Sequence, residues 1–257
     1  MLMKHFILSM MAMALCTTAG AQTKVTTLNA NATKLNVEQL QNSEQTVQLN
    51  RYLFAGYNTL CLPVSLTAEQ LAAAAKDLRL ERMVAIKQVD SDLNLCFVDC
   101  TTDGLQAGVP YLVYSPTKQY LRIKTGGYTN ADTSLKPVRL GDDNGNEVTF
   151  SSSWELVKEK GRYGIPAQQP VTPLESVLIK TDADKNFLPT RCGFVWNQQA
   201  FSARELKIQH FTDMGAVTAI TAIKTTKDTG RYGLNGQKLN SQKKGITITN
   251  GKKIVVK

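Results

Sequence analysis

The sequence predicts an all-β protein with one short helix: a β-sandwich or jelly-roll-like body followed by a small β-hairpin tail. Three observations predict it. About a dozen short strand-like runs follow one another along residues 25–211, separated by Gly, Pro, Asn and Asp turns. A single segment combines a helix cap with a run of strong helix formers. The two ends of the chain differ in composition from everything between them.

The beginning reads as a signal peptide over residues 1–21. Lys4 and His5 precede an apolar run over 6–16, broken only by Ser9, and Ala19-Gly20-Ala21 offers a small-residue cleavage site before Gln22. The run is shorter than the roughly 20 apolar residues a membrane-crossing helix needs. Nothing later is long enough either, so no transmembrane segment is expected. Leu15 before Cys16 is bulky where lipid attachment wants a small residue, which favours cleavage after Ala21.

Charge separates body from tail. The chain carries a formal net charge of +9 and a pI near 9.3. From Lys224 onward nine Lys or Arg residues face one acid, Asp228, giving +8, and Lys4 supplies the remaining charge. Residues 22–223 hold 20 basic and 20 acidic residues. A basic tail on a neutral body argues against a nucleic-acid partner, because a binding domain carries its positive charge on the folded face.

The body, residues 22–211, is large enough for one domain or two lobes with a real core. Residues 25–30 start it as a strand, and 45–54 form a second whose alternation breaks near Tyr52, suggesting a bulge there. Residues 60–64 are almost wholly apolar, as in a strand buried on both faces, and Pro63 confines that strand to a sheet edge or a strand end. The helix follows. Thr67 is the N-cap, Gln70 completes a capping box, and Leu71 with Ala72–Ala75 favours helix to about Asp77.

Strands then come in quick order at 80–89, 93–101, 110–115, 119–124, 135–140, 147–150 and 154–158. In the second of these Leu93, Leu95 and Phe97 share one face while Cys96, Val98 and Cys100 share the other. Both faces are apolar, which places this strand between two layers. Residues 126–134 read as a polar loop, 141–146 as a tight turn, and 161–173, with three prolines, as an irregular crossing. Later strands are expected at 176–180, 193–197 and 205–211. Residues 212–229, small and Thr-rich, read as a linker.

The tail, residues 230–257, holds Asn235-Gly236 and Asn250-Gly251, each between short apolar runs. Asn-Gly suits the positive φ angles of a tight hairpin turn, so two hairpins are expected. Tyr232, Leu234 and Gly236, then Gly245, then Asn250, Gly251, Lys252 and Lys253 carry a resemblance. The pattern is similar to the end of type IX secretion sorting domains of secreted Bacteroidota-type proteins, with Thr247 where that group usually has Tyr. The resemblance implies delivery to the cell surface or exterior, with the secretion machinery as the tail's partner. The run Tyr57–Leu66, followed by a short helix, and residues 108–112 resemble segments of secreted proteins of the same bacterial group. They imply lineage and fold but no activity.

Candidates for chemistry are few. Cys61, Cys96, Cys100 and Cys192 are the cysteines after the leader. Cys96 and Cys100 lie about 13 Å apart on one strand, beyond bridging distance. The four are buried thiols, or one or two bridges run to Cys61 or Cys192; a four-Cys zinc site lacks its second paired unit. His210, the single histidine after the leader, shares a face with Leu206 and Ile208 and reads as a core or edge residue. A Cys192–His210 nucleophilic pair would need a proximity that sequence does not give. Asp182, Asp184 and Asn186 have the first spacings of a calcium loop but lack its Gly and its closing Glu, so a turn is expected there and at Asp142-Asp143-Asn144-Gly145. Trp154, Trp196, Tyr111, Tyr114, Tyr120, Tyr128 and Tyr163 are candidates for a carbohydrate-binding surface. No residue is singled out as catalytic, metal-binding or cofactor-binding. The function expected is an exported, non-catalytic protein binding a glycan or protein ligand, with an extracellular hydrolase acting on glycans as the alternative.

Overall fold

The computed structural model describes residues 24–40, 45–128, 133–167, 169–172, 176–198 and 205–218, together with four tail strands between 231 and 256. Residues 1–21, expected as a signal peptide, lie outside the described residues. Among the described residues the body is all-β with one complete α-helix and a helical turn at 214–218, and its strands form three principal sheets.

The first sheet has the order β1-β2-β7, from β1 (Lys24–Asn29), β2 (Gln45–Leu53) and β7 (Gln119–Tyr128). β1 runs parallel to β2, and β2 antiparallel to β7. The central sheet has the order β15-β5-β4-β6-β3, from β3 (Gly56–Leu60), β4 (Arg79–Val89), β5 (Asp92–Asp99), β6 (Tyr111–Ser115) and β15 (Glu205–Phe211). The third has the order β12-β11-β14-β9-β8, from β8 (Val138–Gly141), β9 (Asn146–Ser152), β11 (Tyr163–Gly164), β12 (Ile179–Lys180) and β14 (Cys192–Gln198). A short ribbon pairs β10 (Val157–Glu159) with β13 (Lys185–Phe187).

Two apolar cores explain the stacking. One joins Leu28, Val47, Leu49, Leu121 and Ile123 of the first sheet to Leu60, Leu80, Tyr111 and Val113 of the central sheet. The other joins Tyr57, Met83, Leu95, Phe97 and Leu112 of the central sheet to Val148, Phe150, Cys192 and Phe194 of the third. The central sheet is therefore covered on both faces, and the sandwich has three layers. Alternating side chains send Tyr111 and Val113 of β6 into one core and Leu112 into the other, as the strand period of two requires. In β5, Leu93, Leu95 and Phe97 enter the second core. Cys96 and Val98 pack under Val217, and Cys100 reaches the first core. The two-layer reading of this strand holds.

The helix α1 (Ala68–Ala74) begins where its cap demands. The Gln70 amide donates to the Thr67 hydroxyl, and the Gln70 side chain accepts from the Thr67 amide, so both halves of the capping box form. Leu71, Ala74 and Ala75 face the first core. Gln119 at the start of β7 fastens the helix end, accepting from the Lys76 amide and donating to its carbonyl.

Several boundaries differ from the sequence reading. The irregularity in β2 falls between Gln45 and Val47, not near Tyr52. The alternation runs through Val47, Leu49, Arg51 and Leu53 on the buried side, so Arg51 occupies a core position that its charge disguised. β7 continues to Tyr128 through residues expected to be loop. The strand expected at 176–180 shrinks to Ile179–Lys180, and the Pro-rich crossing contains β11. Residues 214–218, placed by composition in a linker, form a helical turn whose Val217 is buried against Cys96 and Val98. Lys87 Nζ donates to the Val217 carbonyl and fastens that turn.

The tail strands β16 (Arg231–Gly233), β17 (Lys238–Leu239), β18 (Gly245–Thr249) and β19 (Lys252–Val256) form a sheet of order β17-β16-β18-β19. Thr249 pairs with Lys252, leaving two residues, Asn250-Gly251, between paired positions. Tyr232 pairs with Lys238. Both Asn-Gly pairs, and Leu234, are themselves outside the described residues.

Candidate functional site

The outward face of the β1-β2-β7 sheet is the candidate site. Because Leu28, Val47, Leu49, Arg51, Leu121 and Ile123 point inward, Thr27, Asn29, Gln48, Asn50, Tyr52, Tyr120, Arg122 and Lys124 point outward. Strand register arranges these as cross-strand rungs: Thr27 beside Gln48 beside Lys124, then Asn29 beside Asn50 beside Arg122, then Tyr52 beside Tyr120. Most of them line a groove of about 510 Å³. That volume lies within the range of small-ligand sites, roughly 300–1,000 Å³.

Two of the three rungs are polar, and the third is an aromatic pair whose Tyr120 lines the end of the groove. The Tyr120 ring is 50% exposed, meets Tyr52 edge-on at 5.3 Å, and lies 5.8 Å from the Arg122 guanidinium. Tyr52 in turn meets Phe54 edge-on at 5.2 Å. Asn29 is oriented by accepting the Asn31 amide through Oδ1 at 2.9 Å, and Arg191 donates to Asn31 Oδ1 and to the Ala30 carbonyl, bracing this end. Gln48, Asn50, Arg122 and Lys124 have no side-chain hydrogen bond or ion pair among the described residues. An amide side chain both donates and accepts, whereas Arg and Lys donate only. The face thus presents donors and acceptors to solvent beside a flat apolar ring. Among the described residues no carboxylate lines it.

A second constellation is buried against the central sheet, with members from its middle strand β4 and from both edge strands, β3 and β15. Glu81 is 0% exposed, and its carboxylate pairs with Arg79, accepts the Tyr57 hydroxyl at 2.9 Å and meets His210 Nδ1 at 2.6 Å. His210 Nε2 lies 2.9 Å from Ser176 Oγ, and the Tyr57 ring stacks on the imidazole at 4.2 Å. Burial and the Glu81 charge push the Tyr57 phenol well above its usual range, so it stays a donor. The sequence reading placed His210 in the core or at an edge. It is both: β15 is an edge strand, and the imidazole is 2% exposed. Nothing in the spacing of 81, 176 and 210 announces the chain of hydrogen bonds, since its members come from three separated segments.

The four cysteines among the described residues are free, buried thiols. Burial raises all of them, Cys96 to about 11 and Cys100 and Cys192 to about 12, so they carry protons at neutral pH and are poor nucleophiles. Cys192 is not brought to His210; its backbone instead exchanges hydrogen bonds with the Thr59 hydroxyl. Asp142 spends its carboxylate on the amides of Asn144 and Asn146 and on the Asn146 side chain, which makes that loop a turn. Asp182 and Asp184 are exposed, and among the described residues no group of three or more His, Cys, Asp or Glu side chains could hold a metal.

Of the aromatic candidates, Tyr120 alone lies in the groove. Tyr111 is in the first core, Trp154 packs between both cores, and Tyr114, Tyr163 and Trp196 pack against the second. The side chain of Tyr128 lies outside the description. The groove amides went unnoticed in the sequence because polar residues alternating on a half-buried strand look like any solvated face. Among the described residues no helix is long and apolar enough to cross a membrane. No family model matches the chain, and neither does any curated protein or solved structure.

Proposed function

We propose that this chain is an exported, non-catalytic cell-surface or secreted protein that binds a glycan on the outward face of its β1-β2-β7 sheet. The observation that carries the reading is the groove: uncommitted amide and cationic side chains on two cross-strand rungs, ended by an exposed tyrosine. Amides match sugar hydroxyls in both hydrogen-bonding roles, and the Tyr120 ring offers a face for the C–H side of a pyranose. A rigid sheet holds these groups at fixed spacing, which limits the ordering cost of binding. The leader and the sorting-like tail support delivery outside the cell, where glycans are the abundant polar ligands.

A glycan array probed with the purified protein tests the binding reading. Tyr120→Ala and Asn50→Ala, both on the exposed face, should each abolish or strongly weaken any signal without lowering Tm. Binding that survives both changes would refute the groove as the site. Truncation after Thr229 tests the tail: surface localisation should be lost, and unchanged localisation would remove the sorting role.

The Ser176–His210–Glu81 chain favours a second reading, an extracellular hydrolase. A hydroxyl bonded to an imidazole that is itself held by a carboxylate is the connectivity of an activated serine. It ranks second because the imidazole is nearly enclosed and Ser176 sits on the packed side of its segment with Leu178, while Val177 and Ile179 face outward. A serine-directed fluorophosphonate decides it: a covalent adduct at Ser176 supports a hydrolase, and an unlabelled folded protein discards one.

A further inference from the structure

We propose that the ligand of the groove is an acidic oligosaccharide, with Arg122 and Lys124 taking its anionic group and Tyr120 taking the adjoining sugar ring. This rests on the glycan reading above and deepens it. Arg122 and Lys124 are two apart on β7, so they point to the same side about 7 Å from each other. Each ends a rung that begins with Thr27 or Asn29 and crosses Gln48 or Asn50. Neither has an ion pair among the described residues, and no acid lines the groove to neutralise them.

Residues 22–223 are electrically balanced, and elsewhere Lys34, Arg79, Arg82, Arg162 and Lys207 each have a carboxylate within ion-pair range. Two neighbouring cations on one face of one strand, without an ion pair among the described residues, make a local demand for negative charge. The Arg122 guanidinium is already held near the Tyr120 ring at 5.8 Å, which reduces the freedom it would lose on binding. A guanidinium presents parallel N–H donors that match the two oxygens of a carboxylate or sulfate. The neighbouring Asn50 and Gln48 amides are placed to read hydroxyls on the same ring. A polyanion without sugar hydroxyls would leave these amides and the aromatic face unused.

Calorimetric titration of the purified protein tests this with four probes: a galacturonic acid trisaccharide, a sulfated oligosaccharide, the same trisaccharide with its carboxyl groups reduced to alcohols, and inorganic polyphosphate. The expected result is at least about tenfold tighter binding of one or both acidic sugars than of the reduced one. The two acidic arms tell carboxylate from sulfate. In Arg122→Gln/Lys124→Gln that preference should vanish, so that acidic and reduced sugars bind alike, and Tyr120→Ala should weaken acidic and reduced sugars in equal proportion. Equal binding of acidic and reduced sugars overturns the inference and leaves the glycan reading standing. Binding of polyphosphate as tight as that of the acidic sugars overturns it by showing that charge alone is read. Failure of every sugar to bind overturns both.

Discussion

At the scale of single residues, two buried charges set the limits of stability. Glu81 is completely enclosed and has a cation, a phenol and an imidazole around it. Removing the carboxylate would strand Arg79 and His210 without their common acceptor. Glu81→Ala should therefore cost about 3–5 kcal/mol, measurable by denaturant titration; a loss under about 1 kcal/mol would show that the network contributes little. Arg51 is the opposite case. It is 3% exposed on the core side of β2, donates to the Thr190 carbonyl and has no carboxylate partner among the described residues. Burial, helped by the charge of Arg191, pulls it down to about 9, still high enough that the guanidinium stays charged at neutral pH. An apolar side chain of similar length would escape that desolvation cost. Arg51→Met should leave stability equal or raise it by about 1–3 kcal/mol, and a marked loss would show that the Thr190 hydrogen bond outweighs the penalty.

At the scale of elements, local chemistry was readable wherever it determined the structure alone. Thr67 and Gln70 announced α1 because a capping box is a contact between neighbours in sequence. Thr67→Ala should cost about 1 kcal/mol, seen as a lower denaturation midpoint with an unchanged slope. Gly108 was legible only as part of a run. Its φ of 76° is open to few other residues, and a Cβ there would collide with the Ser134 carbonyl. Strand ends were read less well. β7 outlasts its apolar alternation, and residues 176–178 lose their strand status to packing under the central sheet. Arg51 misled the reading of β2, because a charge at an inward position breaks the pattern without breaking the strand. The groove and the Glu81 network were invisible for one shared reason: each is made by register between strands far apart in sequence.

At the scale of the whole molecule, the central sheet contributes to both cores from the same strands. Leu112 and Val113 are neighbours in sequence yet belong to different cores. The cores should not melt separately. Leu49→Ala in the first and Phe194→Ala in the third sheet should each lower one shared calorimetric transition, by amounts typical of buried large-to-small changes, about 2–5 kcal/mol. Two resolved transitions, each moved by one variant only, would show instead that the layers are independent folding units.

The strand β5 lies between β4, its hairpin neighbour, and β15, which joins it in parallel with Asp92 opposite Glu205. A ribosome releases the chain from its amino end, so the middle of the molecule waits for a segment more than a hundred residues downstream before its last ladder can close. Non-local pairing of this kind slows collapse into the final form. The central sheet is thereby completed late, once the strand ending at Phe211 has been made.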